Sequence, residues 1–578
     1  MKNMHWIWSY IKNQKFLYFS SIFLLIIESI SFVYSISLQQ YIIDQIIMGS
    51  DFGGILKYVL LIALCYFIFV ILFVVNPYIQ SKIHGRVKYQ LTEQGLSTLY
   101  STPINIIQKE RNARYVHFFT NEISIVARLI GEDISDIIKH LVSTIIICVL
   151  FIKASPILFL SILILSLFYI KTGKKLSNEQ KTVSKDIQKK KSSLLIVLEE
   201  CITSTRDVIA NNRGDWEKKR YQNSFIQYFK SVMMEGKLKI KMVFSLESIT
   251  SIAQLIVIGY GGYLVFNGVM SIGLLVVIYQ LTLELLHSFG KVYNLIFSFS
   301  GKMASVENIS NWFNTKPKQR ENTKTISSIE SLTMNNISFR YNSGGKLIFK
   351  NFSLDIPIGK KIALVGLSGS GKSTIGSLLE NLYEVEEGSI QANNININDI
   401  SKDIWKSKVS IVFQDPYIFP GTVKDNLLLG YNGITDTQIM SLAKAMCIDD
   451  FIQKLPEKYD SSLGERGITI SGGEKQRLAL VRALIRDPEV LILDESTSAL
   501  DVSTEKIIHE NLAILRENKT TIIIAHRLST IKDSDIIFVM DKGEIVEQGC
   551  HAELLKNKSL YYELVLNEMK DNNYLIYQ

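Results

Sequence analysis

Val365-Gly366-Leu367-Ser368-Gly369-Ser370-Gly371-Lys372-Ser373-Thr374 decides the fold of this 578-residue chain. It fits G-x-x-x-x-G-K-[ST], a loop that cradles nucleotide phosphates. The apolar run Lys361-Ile-Ala-Leu-Val-Gly366 before it reads as a buried strand, and Ser373 onward reads as a helix. Strand, glycine-rich turn and helix N-terminus are the context the motif requires. The glycines let backbone N–H groups point inward, and the helix dipole adds positive potential. Lys372 is placed to reach the β/γ-phosphates, and the Ser373 hydroxyl to bind Mg²⁺.

The chain is too long for one core, so two or more domains are expected. It is 47% hydrophobic, and its net charge is only +8. The apolar runs crowd into the first 300 or so residues. The small positive excess fits cytosolic loops beside anionic lipid better than nucleic-acid binding. Cys65, Cys148, Cys201, Cys447 and Cys550 make no CxxC pair and no metal spacing, so they read as reduced thiols. Lys2, Lys12 and Lys15 precede an apolar stretch too long for a signal peptide, and no room is left for a preceding peptidase-like domain.

Six segments are long and apolar enough to span a bilayer: about 16–38, 56–77, 136–153, 155–172, 246–267 and 271–295. The connections at 39–55 and 267–271 lack Lys and Arg. The connections 78–135 and 173–245 are long and basic, which places them and the N-terminus in the cytosol. Their apolar spacing, as in Ile187, Leu194, Leu195 and Leu198, predicts spanning helices that continue well past the membrane. Arg114-Tyr-Val-His-Phe-Phe119 and Asn211-Asn-Arg-Gly-Asp-Trp216 lie near the turning points and suit contact with another domain, or are ordinary amphipathic turns. Glu28, Glu284 and His287 are polar groups within spans. They are candidates to line a substrate cavity, or else they pair locally or sit in water at a cytosolic end.

After Lys302 the chain changes character. The polar stretch 316–331 reads as a linker between a membrane domain over 1–315 and a soluble α/β domain over 332–570, with 571–578 as a tail. In the soluble part, short β-type runs alternate with helical patterns, which indicates a parallel core. The run Val490-Leu-Ile-Leu493 ends in Asp494-Glu495, and an α/β sheet places its chemistry at that C-terminal strand edge. Asp494 suits Mg²⁺, and Glu495 suits orienting or deprotonating the attacking water. Thr521-Ile-Ile-Ile524 leads to His526, which is in place to reach a γ-phosphate.

With Ile470-Ser471-Gly472-Gly473-Glu474-Lys475-Gln476-Arg477 the chain resembles an ATP-binding cassette (ABC) transporter, specifically an exporter-type half-transporter. The resemblance covers nearly the whole chain. It implies six spanning helices with long cytosolic extensions, plus a P-loop nucleotide-binding domain with a helical subdomain.

By the same resemblance, Tyr341 would stack on adenine, and Gly366, Ser368, Gly369, Ser370, Gly371, Lys372, Ser373 and Thr374 would hold ATP. Gln414 would be the Q-loop glutamine and a Mg²⁺ ligand beside Ser373 and Asp494. Gly464-Glu465-Arg466-Gly467 looks like the exporter X-loop, and Ser498-Ala499-Leu500-Asp501 like the D-loop. His526 looks like the switch histidine. The signature Ser471, Gly472, Gly473 and Glu474 would bind the ATP of a partner chain, which implies a dimer, here a homodimer or the intact half of a heterodimer. Glu474 stands where the family usually has glutamine. Ser471-x-x-Glu474 also fits a capping box that folds the carboxylate back on the Ser471 N–H.

The implied activity is ATP hydrolysis that drives export through alternating access across a bacterial plasma membrane. The favoured cargo is an amphipathic peptide of the antimicrobial kind. A lipid or drug exporter, an ATP-gated channel, and a soluble ABC ATPase of the ribosome or DNA-repair kind are the alternatives, the last opposed by the six spans.

Overall fold

The computed structural model describes residues 2–47, 55–108, 110, 112–314, 324–341, 344–464, 470–495, 500–524 and 531–574. The chain forms two compact units. One comprises 1–99 and 111–315, and the other comprises 100–110 and 316–578.

The first unit is helical. Six helical stretches are long and apolar enough to cross a membrane: Lys15–Gln45, Ile55–Ser101, Arg114–Ala154, Pro156–Thr203, Gly214–Phe266 and Ile272–Asn314. Five of them far exceed the expected spans. The 48 residues of Pro156–Thr203 extend about 72 Å at 1.5 Å per residue, against about 30 Å of hydrocarbon. Burial ranks the helices. Only 6% of the most apolar window of Ile55–Ser101 is buried, so its Leu60, Leu64, Phe67 and Phe73 face outward. In Ile272–Asn314 the figure is 44%, and Val277, Ile278, Leu281 and Leu285 join the central core. The hairpin after Ala154 has a clear local cause. Ser155 is extended, its hydroxyl accepts from the Leu158 N–H, and Pro156 occupies the first helical position.

The aromatic run Arg114–Phe119 is not a turning point. It is helical, and Phe118 packs edge-on against Trp312 at 4.4 Å between ring centroids, inside the first unit. The chain turns earlier. Pro103, which disfavours a helical backbone at the preceding residue, follows the end of Ile55–Ser101 and caps the short helix Ile104–Ile107. This segment belongs to the second unit. The other expected turn, at Asn211–Arg213, separates Thr205–Ala210 from Gly214–Phe266.

The second unit holds two sheets. Strands β1 (Leu332–Phe339), β2 (Phe349–Ile356), β4 (Glu387–Ala392) and β5 (Ile395–Asn396) form an antiparallel sheet in the order β2-β1-β4-β5. The main sheet contains β3 (Lys361–Gly366), β6 (Val409–Val412), β7 (Val490–Asp494), β8 (Thr520–Ile524), β9 (Ile536–Asp541) and β10 (Glu544–Gly549), in the order β10-β9-β3-β8-β7-β6. Only the edge strand β10 is antiparallel. The parallel strands are apolar on both faces, as a doubly covered sheet requires. The polar linker is shorter than 316–331. Lys324 already bridges to Ile400, and Ile326 and Ile329 are buried in the second unit's core. The last helix, Leu560–Tyr574, continues into the stretch expected to be a tail.

Candidate functional site: the carboxyl edge of the parallel sheet

Parallel pairing in the order β3-β8-β7-β6 puts the ends of four strands side by side. Gly366 ends β3, Asp494 ends β7, and Gln414 follows β6 after one residue. His526, two residues beyond β8, lies outside the described residues, as do Glu465–Gly467, Ser498 and Ala499.

The loop after β3 depends on glycine at two points. Gly366 has φ +153°, and a Cβ there would lie 2.1 Å from the Met540 carbonyl oxygen of β9. Gly371 caps helix Lys372–Leu379 at φ +103°. Lys372 is 5% exposed, and its ammonium donates to the carbonyls of Gly366 (2.8 Å) and Leu367 (2.9 Å). Burial pushes this ammonium below the usual lysine range, and Glu495 and Asp494 oppose the shift. Ser368 and Gly369 complete the turn, and the Ser370 N–H donates to the Leu367 carbonyl.

The Ser373 hydroxyl donates to Asp494 Oδ1 at 2.9 Å. Gln414 Nε2 donates to Glu495 Oε2 at 2.5 Å. Glu495 has a left-handed backbone (φ +47°), held by its N–H donating to the Ile524 carbonyl of β8. That conformation is uncommon for a residue with a side chain. The oxygens of Ser373, Asp494 and Gln414 form the hard-donor set that suits Mg²⁺.

Tyr341 is held on three sides. Its hydroxyl lies 3.1 Å from Thr374 Oγ1, and its ring meets Phe339 and Tyr383 edge-on.

Helix Gly472–Leu484 opens with the capping box the sequence suggested. Ser471 Oγ accepts from the Glu474 N–H at 3.3 Å, and Glu474 Oε2 accepts from the Ser471 N–H (2.7 Å) and from its hydroxyl (2.8 Å). The Glu474 carboxylate is thus turned back on its own helix start, beside Gly472 and Gly473. Asp501 caps helix Val502–Leu515. It accepts from Thr504 N–H and Ser503 Oγ, which hold its carboxyl far below the usual range.

Sequence reading missed Gln476. It is 4% exposed, and its amide donates to the backbone carbonyls of Gln414 (3.3 Å) and Glu495 (3.4 Å). It ties helix Gly472–Leu484 to the carboxyl edge of the parallel sheet. Its position in the signature run was the available signal.

Within the first unit, the cavity candidates separate. Glu28 is 1% exposed and accepts from Lys139 Nζ (2.6 Å) and Asn76 Nδ2 (2.6 Å), a buried ion pair the sequence did not reveal. Glu284 is half-buried and accepts from Ser288 at 3.4 Å, while His287 is exposed.

A phosphate loop, a two-carboxylate strand end and a glutamine on one sheet edge define a P-loop nucleotide-binding domain, fused here to a six-helix membrane domain. The chain belongs to the ABC transporters. It matches that family's transmembrane region over residues 17–288 and its ATP-binding domain over residues 349–498.

It is 30% identical over 510 residues to ABC transporter B family member 4 of Dictyostelium discoideum, covering 83% of this chain and 66% of that one. It is 37% identical over 326 residues to a putative multidrug export ATP-binding/permease protein of Staphylococcus aureus, covering 55% and 56%. An uncharacterized ABC transporter ATP-binding protein of Bacillus subtilis is 26% identical, with 96% and 93% covered. The solved structure of a bacterial Atm1-family ABC exporter with ATP bound shares the fold at TM-score 0.83 and 23% identity, covering 96% of this chain and 98% of that one. ATP hydrolysis coupled to transport is the activity of this family.

Proposed function

We propose that this chain is an ATP-driven exporter working as a homodimer in a bacterial cell membrane, with its N-terminus and ATP-binding cassette in the cytosol. The observation that carries the reading is the single sheet edge bearing Lys372, Ser373, Asp494, Glu495 and Gln414, in a chain with six membrane-spanning helices.

The phosphate loop 366–374 holds ATP through its backbone N–H groups, and Tyr341 stacks on the adenine. Lys372 exchanges its two loop carbonyls for the β/γ-phosphates. Ser373, Asp494 and Gln414 hold Mg²⁺, whose bound charge offsets that of the phosphates. Glu495 accepts a proton from the attacking water, with Gln414 fixing its carboxylate and His526 reaching the γ-phosphate. Ser471, Gly472 and Gly473 of a second copy approach the same phosphates by their helix N-terminus, with Asp501 at the seam. Two nucleotides between two cassettes supply the differential binding that drives closure. Moving that equilibrium from 1:99 to 99:1 takes about 5.5 kcal/mol.

The cargo is amphipathic, and an antimicrobial-type peptide is the first candidate. The name of the staphylococcal relative favours a second reading, multidrug export. Retention of Glu495 supports turnover over simple gating. The test is Mg²⁺-dependent ATPase in nanodiscs, screened with peptides, lipids and drugs. Stimulation by one class, lost in Glu495→Gln, supports pumping and names the class. Cargo flux unchanged in that variant rejects pumping.

A further inference from the structure

The second unit holds a cavity of about 250 Å³ between helix Val502–Leu515 and the main sheet. Its floor is apolar. Leu493, Leu512 and Ile523 line it, and none is more than 4% exposed. Its polar groups include Lys361, the first residue of β3. Gly366 ends the same strand, about 17 Å away at roughly 3.3 Å per residue, so Lys361 is remote from the phosphate loop. The proposed ATP chemistry uses none of these side chains.

Two of the cations that line the cavity are already engaged. Arg516 donates to the carbonyls of Glu489 (3.0 Å) and Thr520 (2.7 Å), and Lys519 pairs with Asp487 at 2.5 Å. Lys361 differs. Its backbone is pinned, because its N–H donates to Asp535 Oδ2 and its carbonyl accepts from the Asp535 N–H, both at 2.8 Å. Its half-buried ammonium has neither an ion pair nor a hydrogen bond among the described residues. Burial lowers the pKa of this ammonium, and Asp533 and Asp535 oppose the shift. His509 also lines the cavity. Its Nε2 is buried without a hydrogen bond, since Glu505 is 3.9 Å away.

A desolvated ammonium with no counter-ion is costly. An apolar hollow with a few polar groups is the usual form of a small-molecule site. The polar groups here carry both signs, because the exposed carboxylates of Asp533 and Asp535 line the same cavity as Lys361. A pure anion would gain Lys361 and be repelled by the two acids, and a pure cation would meet the reverse. A zwitterion satisfies both, and the floor takes an apolar side chain. We propose that this cavity binds a small apolar α-amino acid, with its carboxylate at Lys361, its ammonium at Asp533 and its side chain on Leu493, Leu512 and Ile523. The site is independent of the ATP and cargo readings.

The test uses the full-length protein in nanodiscs without nucleotide, with tritiated L-leucine in equilibrium dialysis. Isocaproate, which lacks the ammonium, and isopentylamine, which lacks the carboxylate, serve as competitors. Leucine is expected to bind saturably at about one per chain, with half-saturation below about 1 mM. Each competitor should be at least about tenfold weaker than leucine, and Lys361→Met and Asp533→Asn should each weaken leucine about tenfold. Basal ATPase should be unchanged in both variants. Should Lys361→Met not fold, Asp533→Asn decides alone, because its side chain is exposed. Saturable binding that stays within twofold of wild type in Asp533→Asn places leucine elsewhere and overturns the proposal. So does the absence of saturable binding up to about 10 mM, or displacement by isocaproate or isopentylamine as effective as by leucine itself.

Discussion

Gln414 Nε2 and Glu495 Oε2 are 2.5 Å apart, joining the end of β6 to the end of β7. In the proposed ATP site, this bond would hold the carboxylate for the water that attacks a phosphate in the 366–374 loop. It also leaves the Gln414 amide oxygen available to a cation.

Glu495→Gln keeps the shape of that contact and removes the proton acceptor. ATP hydrolysis should fall by about 10²–10⁴-fold, the usual contribution of a general base, while ATP binding persists. Phosphate release and nucleotide retention, measured on the same sample, check both halves.

Glu474 gives a second handle. Its carboxylate lies at a helix start that faces phosphate in the proposed dimer, and one charge there opposes binding by about 1 kcal/mol, the repulsion of two unit charges about 4 Å apart screened as in bulk water. Glu474→Gln preserves the capping box and should lower half-saturating ATP about fivefold. Glu474→Ala keeps the Ser471 cap but loses the carboxylate's return bonds to the Ser471 N–H and hydroxyl, and should show a lower thermal midpoint.

In the membrane domain, the Glu28–Lys139 pair should behave as a buried charge pair. Glu28→Leu or Lys139→Met alone should destabilise by about 3 kcal/mol, because each leaves an uncompensated charge. The two together should recover most of the loss. Thermal midpoints in detergent report this, and equal loss in singles and double would contradict it.

The cassette should weaken in acid through His509. Burial, assisted by Lys361, lowers its pKa from the ordinary 6.5 to about 4. Between those values the unfolded chain binds the proton and the folded chain does not, so stability falls as pH drops from about 6.5 towards 4. The loss approaches about 3 kcal/mol for a shift of this size. Thermal midpoints of wild type and His509→Gln across pH 4–7 should converge in acid.

Local patterns were legible in the sequence and long-range ones were not. The phosphate loop, the Asp494-Glu495 strand end and the Ser471–Glu474 capping box each occupy a few consecutive residues. Spacing alone therefore fixes their geometry. Glu28 and Lys139 are 111 positions apart, and only helix packing brings them together. Arg114–Phe119 looked like a tip because aromatics and charges crowd there. Its Phe118 is instead taken up by Trp312 from the end of the last membrane helix. Pro103 was the better signal, since a proline disfavours the helical backbone at the residue before it, although Pro77 is carried inside Ile55–Ser101. Gln476 was visible as a residue but not as a link, because its two partners come from separate strand ends.

The claim on which the rest depends is that one copy's phosphate loop and another copy's signature close on the same ATP. Co-expressing Lys372→Ala with Ser471→Arg tests it directly. Each variant alone should be inactive. In the mixed dimer, one site pairs an intact loop with an intact signature, so ATPase should return to roughly a quarter of wild type, because half the dimers are mixed and each has one site. Activity no higher than that of either variant alone would contradict the account.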